Sequence, residues 1–273
     1  MAHLFQVGAG SGGMPVLDML GRDRRITRVT LVEPDVYKPH NVERHVFPPS
    51  SVGERKAVLA QRWLKERRPD LEVSVLIADL MDPAKQDQIE SAAAACDLGV
   101  CAADNEPAKY HFDALMRKFA KAWTLGEVLS GGIGGFVHRF VPEGPCYGCV
   151  ASHLKRDAVV EKPRAVDYSQ PEAPIPEATI PAGIAAIHAV AGLHTLVTQE
   201  LLPDGPRPAD LSPFTLLLTL QQVPDVFPEA FRPYRFRVAR SADCLICRPA
   251  ARDIASEDLD VALSEALARL GHE

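Results

Sequence analysis

The stretch L-F-Q-V-G-A-G-S-G-G-M, residues 4–14, constrains the fold more than any other part of the chain. A short apolar run over residues 3–8 ends in glycine. Gly8, Gly10 and Gly13 then form G-x-G-x-x-G in front of a segment, residues 12–21, whose Met14, Leu17 and Leu20 recur at helical spacing. In a strand–loop–helix of this kind the glycines let the backbone approach a phosphate. The helix start adds free N–H groups and the positive end of its dipole. Glu33 ends the next strand about 20 residues on, where an acid accepts hydrogen bonds from ribose hydroxyls, and Asp35 stands beside it. The loop and its acid point to an adenine nucleotide, without separating a dinucleotide used for hydride transfer from ATP.

The grammar continues in the same sense. Strands are expected at 28–33, 72–78, 97–103 and 122–126. Helices alternate with them at 53–67, with Val58, Leu59 and Leu64 inward, and at 83–94 and 106–121. This is an α/β fold, a Rossmann-like doubly wound, mostly parallel sheet with helices on both faces. After residue 130 the pattern changes. A glycine-entered antiparallel strand (131–141), a proline-rich crossing loop (155–181), a helix (182–202) and two more strands (214–220 and 234–239) are expected to extend the sheet. Ile184, Ile187, Val190, Leu193, Val197 and Leu201 should face inward on that helix, and its His188 and His194 read as packed or surface groups. Leu259, Leu263, Ala266, Leu267 and Leu270 mark a C-terminal amphipathic helix. The working division is a nucleotide-binding part (1–150), a crossover loop (151–182), a part completing the sheet (183–250) and a helical tail (251–273).

With 273 residues, nearly half of them apolar, the chain can bury a substantial core. No apolar run approaches the ~20 residues of a membrane helix, and no signal peptide stands before the first strand, so a cytoplasmic location is expected. A formal charge of −6 offers no basic field for a nucleic acid. The arginines at 22, 24, 25 and 28 read as a solvated turn face.

Charges near the loop bear on the nucleotide. A triphosphate needs cations and usually Mg²⁺ on a carboxylate. Arg44 and Lys56, each an ordinary surface charge if taken alone, and Asp104, at a strand end, meet that need together. Asp104 has a rival reading as the cap of the helix that follows. Four of six cysteines form two Cys-x-x-Cys pairs, Cys146 with Cys149 and Cys244 with Cys247, a set that can close a structural four-thiolate zinc shell. Two disulfides or unpaired buried thiols are the alternatives.

Taken in order, these motifs resemble the ThiF, MoeB and E1 family: Gly8, Gly10 and Gly13; Glu33 and Asp35; Asn41 and Arg44; Lys56; Asp104 and Asn105; and the two cysteine pairs. The resemblance spans about residues 4–250. It implies adenylation of the C-terminal glycine of a ubiquitin-like or sulfur-carrier protein of the β-grasp type, using ATP and Mg²⁺, with Zn²⁺ on the cysteines. Glu33 would hold the ribose, Asn41, Arg44 and Lys56 the phosphates, and Asp104 the Mg²⁺ and the α-phosphate. A homodimer, or a heteromer with a second subunit, is implied as well. The sequence departs from the family in three respects. It has no N-terminal helix to lend an arginine. Glu33 and His45 replace the usual Asp and Gln. No cysteine lies between Cys149 and Cys244 to form a thioester. Two other readings stay open: an NAD(P)-dependent oxidoreductase, and a non-catalytic E1-like subunit working with a partner chain.

Overall fold

In a computed structural model the described residues are 1–154, 181–203 and 211–247. Their eight strands form one sheet: β1 (Ala2–Val7), β2 (Ile26–Val32), β3 (Glu72–Leu76), β4 (Leu98–Cys101), β5 (Ala122–Val128), β6 (Gly134–Phe140), β7 (Phe214–Thr219) and β8 (Pro233–Phe236). The spatial order is β3-β2-β1-β4-β5-β6-β7-β8. The first five strands in that order run parallel, and β6, β7 and β8 join antiparallel. The mostly parallel sheet with an antiparallel extension is the architecture the alternation predicts.

Helices cover both faces because the strands are apolar on both. Along β1, Ala2 and Leu4 enter one core with the helices α1 (Gly13–Gly21) and α2 (Lys56–Arg67). Phe5 and Val7 enter the other, with α3 (Gln86–Ala95), α4 (Glu106–Lys118) and α5 (Tyr147–His153). In the second core Trp123 stacks on Phe140 at 4.1 Å and meets Phe112 edge-on at 5.2 Å, joining the parallel and antiparallel strands. The helix α6 (Ile184–Gln199) bridges the halves: Ala191 joins the α1 side, while Val190 and Val197 pack on Val137 and Phe214.

Three sequence expectations are corrected. Val58 is 38% exposed, because it lies on the side of α2 opposite the face that buries Ala57, Leu59, Ala60 and Leu64. Ile184 starts α6 beyond the sheet and is 43% exposed. A helix, α5, occupies the first cysteine pair, where only ligands were expected. Of the two α6 histidines, His188 is exposed and His194 is buried, its Nε2 2.9 Å from the Thr124 hydroxyl. Burial pushes the His194 imidazole down to about 3. Most of the crossing loop and the whole expected C-terminal helix lie outside the described residues. Among the described residues no helix is long and apolar enough to cross a membrane.

Candidate functional site

The chain leaves β1 toward α1 and β2 on one side and returns through β4 on the other, so a crevice opens beyond the carboxyl ends of β1 and β4. A cleft of about 300 Å³ lies there, at the small end of the ~300–1,000 Å³ range of ligand pockets. Its lining includes Gly8, Gly10 and Gly13 after β1, Glu33 and Asp35 after β2, Lys56 at the start of α2, and Asp104 and Asn105 after β4.

The glycines differ in what demands them. Gly8 has φ +91°, and a Cβ there would lie 2.6 Å from the Ala102 carbonyl oxygen; at Gly13 a Cβ would lie 2.4 Å from the Gly8 oxygen. Both are required by the protein itself. Gly10 has ordinary backbone, and an added Cβ meets nothing within 4 Å. Its openness leaves room for something that comes close from outside. Gly13→Ala is therefore expected to cost about 3 kcal/mol in chemical denaturation, whereas Gly10→Ala stays within about 0.5 kcal/mol and loses nucleotide affinity.

Side chains absent from the sequence reading hold the loop. Gln6, buried in β1, donates its amide N–H groups to the Gly8 and Gly13 carbonyls, both at 2.9 Å. The Ala9 peptide is gripped from two sides: its N–H donates to Glu33 Oε2 at 2.6 Å, and His45 Nε2 lies 2.9 Å from its carbonyl. The second Glu33 oxygen accepts from the Asp35 N–H at 2.8 Å. Burial raises the Glu33 carboxyl, and its two N–H bonds pull it partly back. Each oxygen keeps a lone pair for a further donor, so the acid both fixes the loop and faces the cleft.

His45 must donate to the Ala9 carbonyl, which places its proton on Nε2 and leaves Nδ1 to accept from the Phe47 N–H at 3.4 Å. Burial, chiefly, pushes this imidazole down to about 4. A histidine depressed below its unfolded value of 6.5 stabilises fully above that value and loses its contribution as pH falls toward 4. Glutamine offers the same N–H donor without titrating. His45→Gln is expected to reduce the stability lost between pH 7 and pH 4.5 by about 2–3 kcal/mol, measured by denaturation at the two pH values.

Lys56 is buried and its ammonium donates to Asp35 Oδ2 at 2.8 Å. Asp104 is exposed at the cleft and makes no hydrogen bond or ion pair among the described residues. The cap of α4 is Asn105, whose Oδ1 accepts from the Ala108 N–H at 2.9 Å. The rival reading of Asp104 thus falls to its neighbour. Asn41 and Arg44 stand apart from the others. They occupy a short 3-10 helix, Pro39–Arg44, and neither lines the cleft; Asn41 Oδ1 accepts the Lys38 N–H at 2.9 Å. That helix is carried between anchors, with the Tyr37 hydroxyl donating to the Phe47 carbonyl at 2.7 Å. Arg44 has no ion pair among the described residues.

The four cysteines of the two pairs come together, with their Sγ atoms all within 4.8 Å of one another. Cys146 Sγ lies 3.8 Å from Cys149 and 3.5 Å from Cys244, and Cys149 lies 3.5 Å from Cys247. None of the four is joined in a disulfide. Thiolates at ~2.3 Å from a tetrahedral zinc sit about 3.8 Å apart, so the cluster could hold such an ion. Cys96 and Cys101 lie elsewhere, buried, with burial pushing their thiols up to about 11 and about 12.

The sequence profile described as the ThiF family matches residues 1–222. The chain belongs to the ThiF family. A curated relative of this ThiF-family chain is the SAMP-activating enzyme E1 of Haloferax volcanii, 27% identical over 150 residues, covering 55% of this chain and 53% of the relative. The chain thus spans about half the length of that relative. Its fold is similar to E. coli MccB (TM-score 0.67, 15% identity, 93% of this chain and 67% of that one). It is similar likewise to MccB in complex with N-formylated MccA (TM-score 0.64, 17% identity, 90% and 67%) and to PaaA (TM-score 0.61, 13% identity, 88% and 65%). At these identities the likeness is one of fold.

Proposed function

We propose that this ThiF-family chain is an ATP-dependent adenylyltransferase that activates the C-terminal carboxylate of a small ubiquitin-like or sulfur-carrier protein of the β-grasp type, ending in glycine. The observation that carries the reading is the convergence on one cleft of the glycine loop, Glu33, the Lys56–Asp35 pair and Asp104. A hydride-transferring enzyme needs the loop and the acid but has no use for that cation and open carboxylate beside them. The curated relative's name, a SAMP-activating enzyme, supports the protein substrate.

In the proposed reaction a carboxylate oxygen of the carrier attacks the α-phosphorus of ATP. The bond from that phosphorus to the bridging oxygen breaks, and pyrophosphate leaves with the electron pair. The loop amides and the start of α1 receive the phosphates, and Glu33 accepts from the ribose. Lys56 neutralises phosphate charge, releasing Asp35 as it does so. Arg44 and Asn41, outside the cleft, are the groups for phosphates that extend beyond it. Asp104 would hold Mg²⁺, which when bound supplies charge neutralisation at the phosphates. Alignment of two anions and neutralisation of developing charge provide most of the acceleration.

The four-cysteine cluster is assigned to structural Zn²⁺, since it leaves no open coordination position. No cysteine of the described residues suits a thioester: four are in the cluster, and Cys96 and Cys101 are buried thiols held far from thiolate. The acyl-adenylate is therefore passed on without a thioester on this chain. The protein acts as a homodimer or as a heteromer with a second subunit, and the reducing cytoplasm suits the thiolate centre.

The test is ATP–pyrophosphate exchange with a small β-grasp protein ending in glycine. Exchange should require that protein, and Lys56→Ala should lower its rate about 100-fold with the fold retained. Tight nicotinamide-dinucleotide binding without exchange would favour the oxidoreductase reading instead. Exchange only upon addition of a second subunit would favour the non-catalytic reading.

A further inference from the structure

We propose that Tyr147 is a positioning residue that ties the four-cysteine centre to the head of α4 and so sets the place of Asp104 over the cleft. The inference rests on the proposed role of Asp104 toward the nucleotide's metal. Tyr147 sits between two clustered thiols, Cys146 and Cys149, and is fully buried. Three residues on one face of α4 hold it, at the helical spacing 106, 110 and 113. Its hydroxyl donates to Glu106 Oε2 at 2.8 Å, its ring meets Tyr110 edge-on at 5.0 Å, and its backbone N–H donates to Asp113 Oδ1 at 3.0 Å. A tyrosine buried this deeply needs a partner for its hydroxyl, and the partner here is the first residue of α4.

Glu106 would otherwise be a mobile surface acid, since its side chain is 52% exposed. A second donor fixes it: the buried Lys109 ammonium bonds Glu106 Oε1 and Glu127 Oε1, each at 2.7 Å. Glu127 Oε2 continues to His138 Nε2 at 2.9 Å, and His138 Nδ1 to the Thr215 hydroxyl at 2.9 Å, so the chain of contacts is rooted in β5, β6 and β7. Burying a lysine requires such charge partners. The head of α4 is thus held from the cysteine side and from the sheet. Asp104 precedes that head by two residues and has no hydrogen bond or ion pair of its own among the described residues. Its position is inherited from its neighbours.

The experiment compares ATP affinity with Mn²⁺ and in metal-free buffer for wild type, Tyr147→Phe and Glu106→Ala, with protein-bound zinc assayed in each. Tyr147→Phe keeps the ring and loses only the hydroxyl; Glu106→Ala breaks the same bond from its half-exposed side. In both, the gain in affinity brought by Mn²⁺ should fall about fivefold, the size of one net hydrogen bond. Metal-free ATP affinity should stay within about twofold and bound zinc should be unchanged. A merely structural role would lower both affinities together and leave their ratio alone, which overturns the proposal, as does a wild-type ratio in both variants. Wild type that binds ATP with no gain from Mn²⁺ would instead remove the assignment of Asp104, and the proposal with it.

Discussion

Asp104→Ala is expected to lower carrier-dependent pyrophosphate exchange by about 10²–10³-fold, the usual scale for removing one group aimed at developing charge, while the unfolding midpoint moves by no more than about 2 °C. The two halves of this expectation have separate causes. Asp104 is exposed and bonds to nothing among the described residues, so its loss unmakes no contact of the fold. Its place among the cleft residues, across from Lys56 and the glycine loop, gives it no other evident work than to meet the ligand. The adjacent Asn105 supplies the contrast. Its side chain caps α4 through the Ala108 N–H, so Asn105→Ala should cost about 1 kcal/mol of stability and much less rate. Exchange rates that match in wild type and Asp104→Ala would withdraw the role given to this carboxylate. Equal losses of rate in the two variants would mean that the head of α4, rather than one carboxylate, is what the reaction needs.

The parts of this fold that follow from local periodicity were legible in the sequence. Strand and helix alternation placed the sheet, and the glycine spacing placed the loop that now lines the cleft. Cysteine spacing found four thiols that the fold brings within 4.8 Å of one another, although the pairs are far apart in sequence. What escaped depends on contacts between elements. Gln6 looked like one polar residue in an apolar strand, and its grip on Gly8 and Gly13 exists only once α1 has folded back over β1. Glu127 lay beyond the expected end of its strand, and nothing local pairs it with Lys109 or His138. A polar residue interrupting a buried strand was the available signal for Gln6. Val58 and Ile184 failed for another reason: Val58 falls on the face of α2 opposite the buried Ala57, Ala60 and Leu64, and Ile184 is the first residue of its helix. Arg44 and Asn41 fit a sequence pattern, yet the chain carries them on a 3-10 helix outside the cleft. Spacing alone did not reveal that offset, because it is set by where Tyr37 and His45 are buried.

Removing the metal from the four-cysteine centre should have the largest effect on stability. Preparations should contain about one zinc per chain, and its release by a thiol-directed reagent with a chelator should lower the unfolding midpoint by about 10–20 °C, corresponding to about 5 kcal/mol. The size follows from what else holds this corner. Cys146, Cys149 and Cys247 are almost fully buried, yet among the described residues the apolar cluster they form contains only the four cysteines themselves. The centre joins the start of α5 to the segment that follows β8, so its loss unties those two segments from each other. By contrast the α1, α2 and β1–β3 core shares no residue with the cluster. Amide exchange should therefore accelerate around residues 141–154 and 233–247 first, and around the glycine loop last. Cys247→Ser should reproduce the loss, whereas Cys96→Ser should retain the metal, because its thiol lies in the α3 core away from the centre. A protein purified without bound metal that is as stable as its zinc-loaded form would mean that the four thiols pack as ordinary buried cysteines, and that the fold closes this corner without an ion.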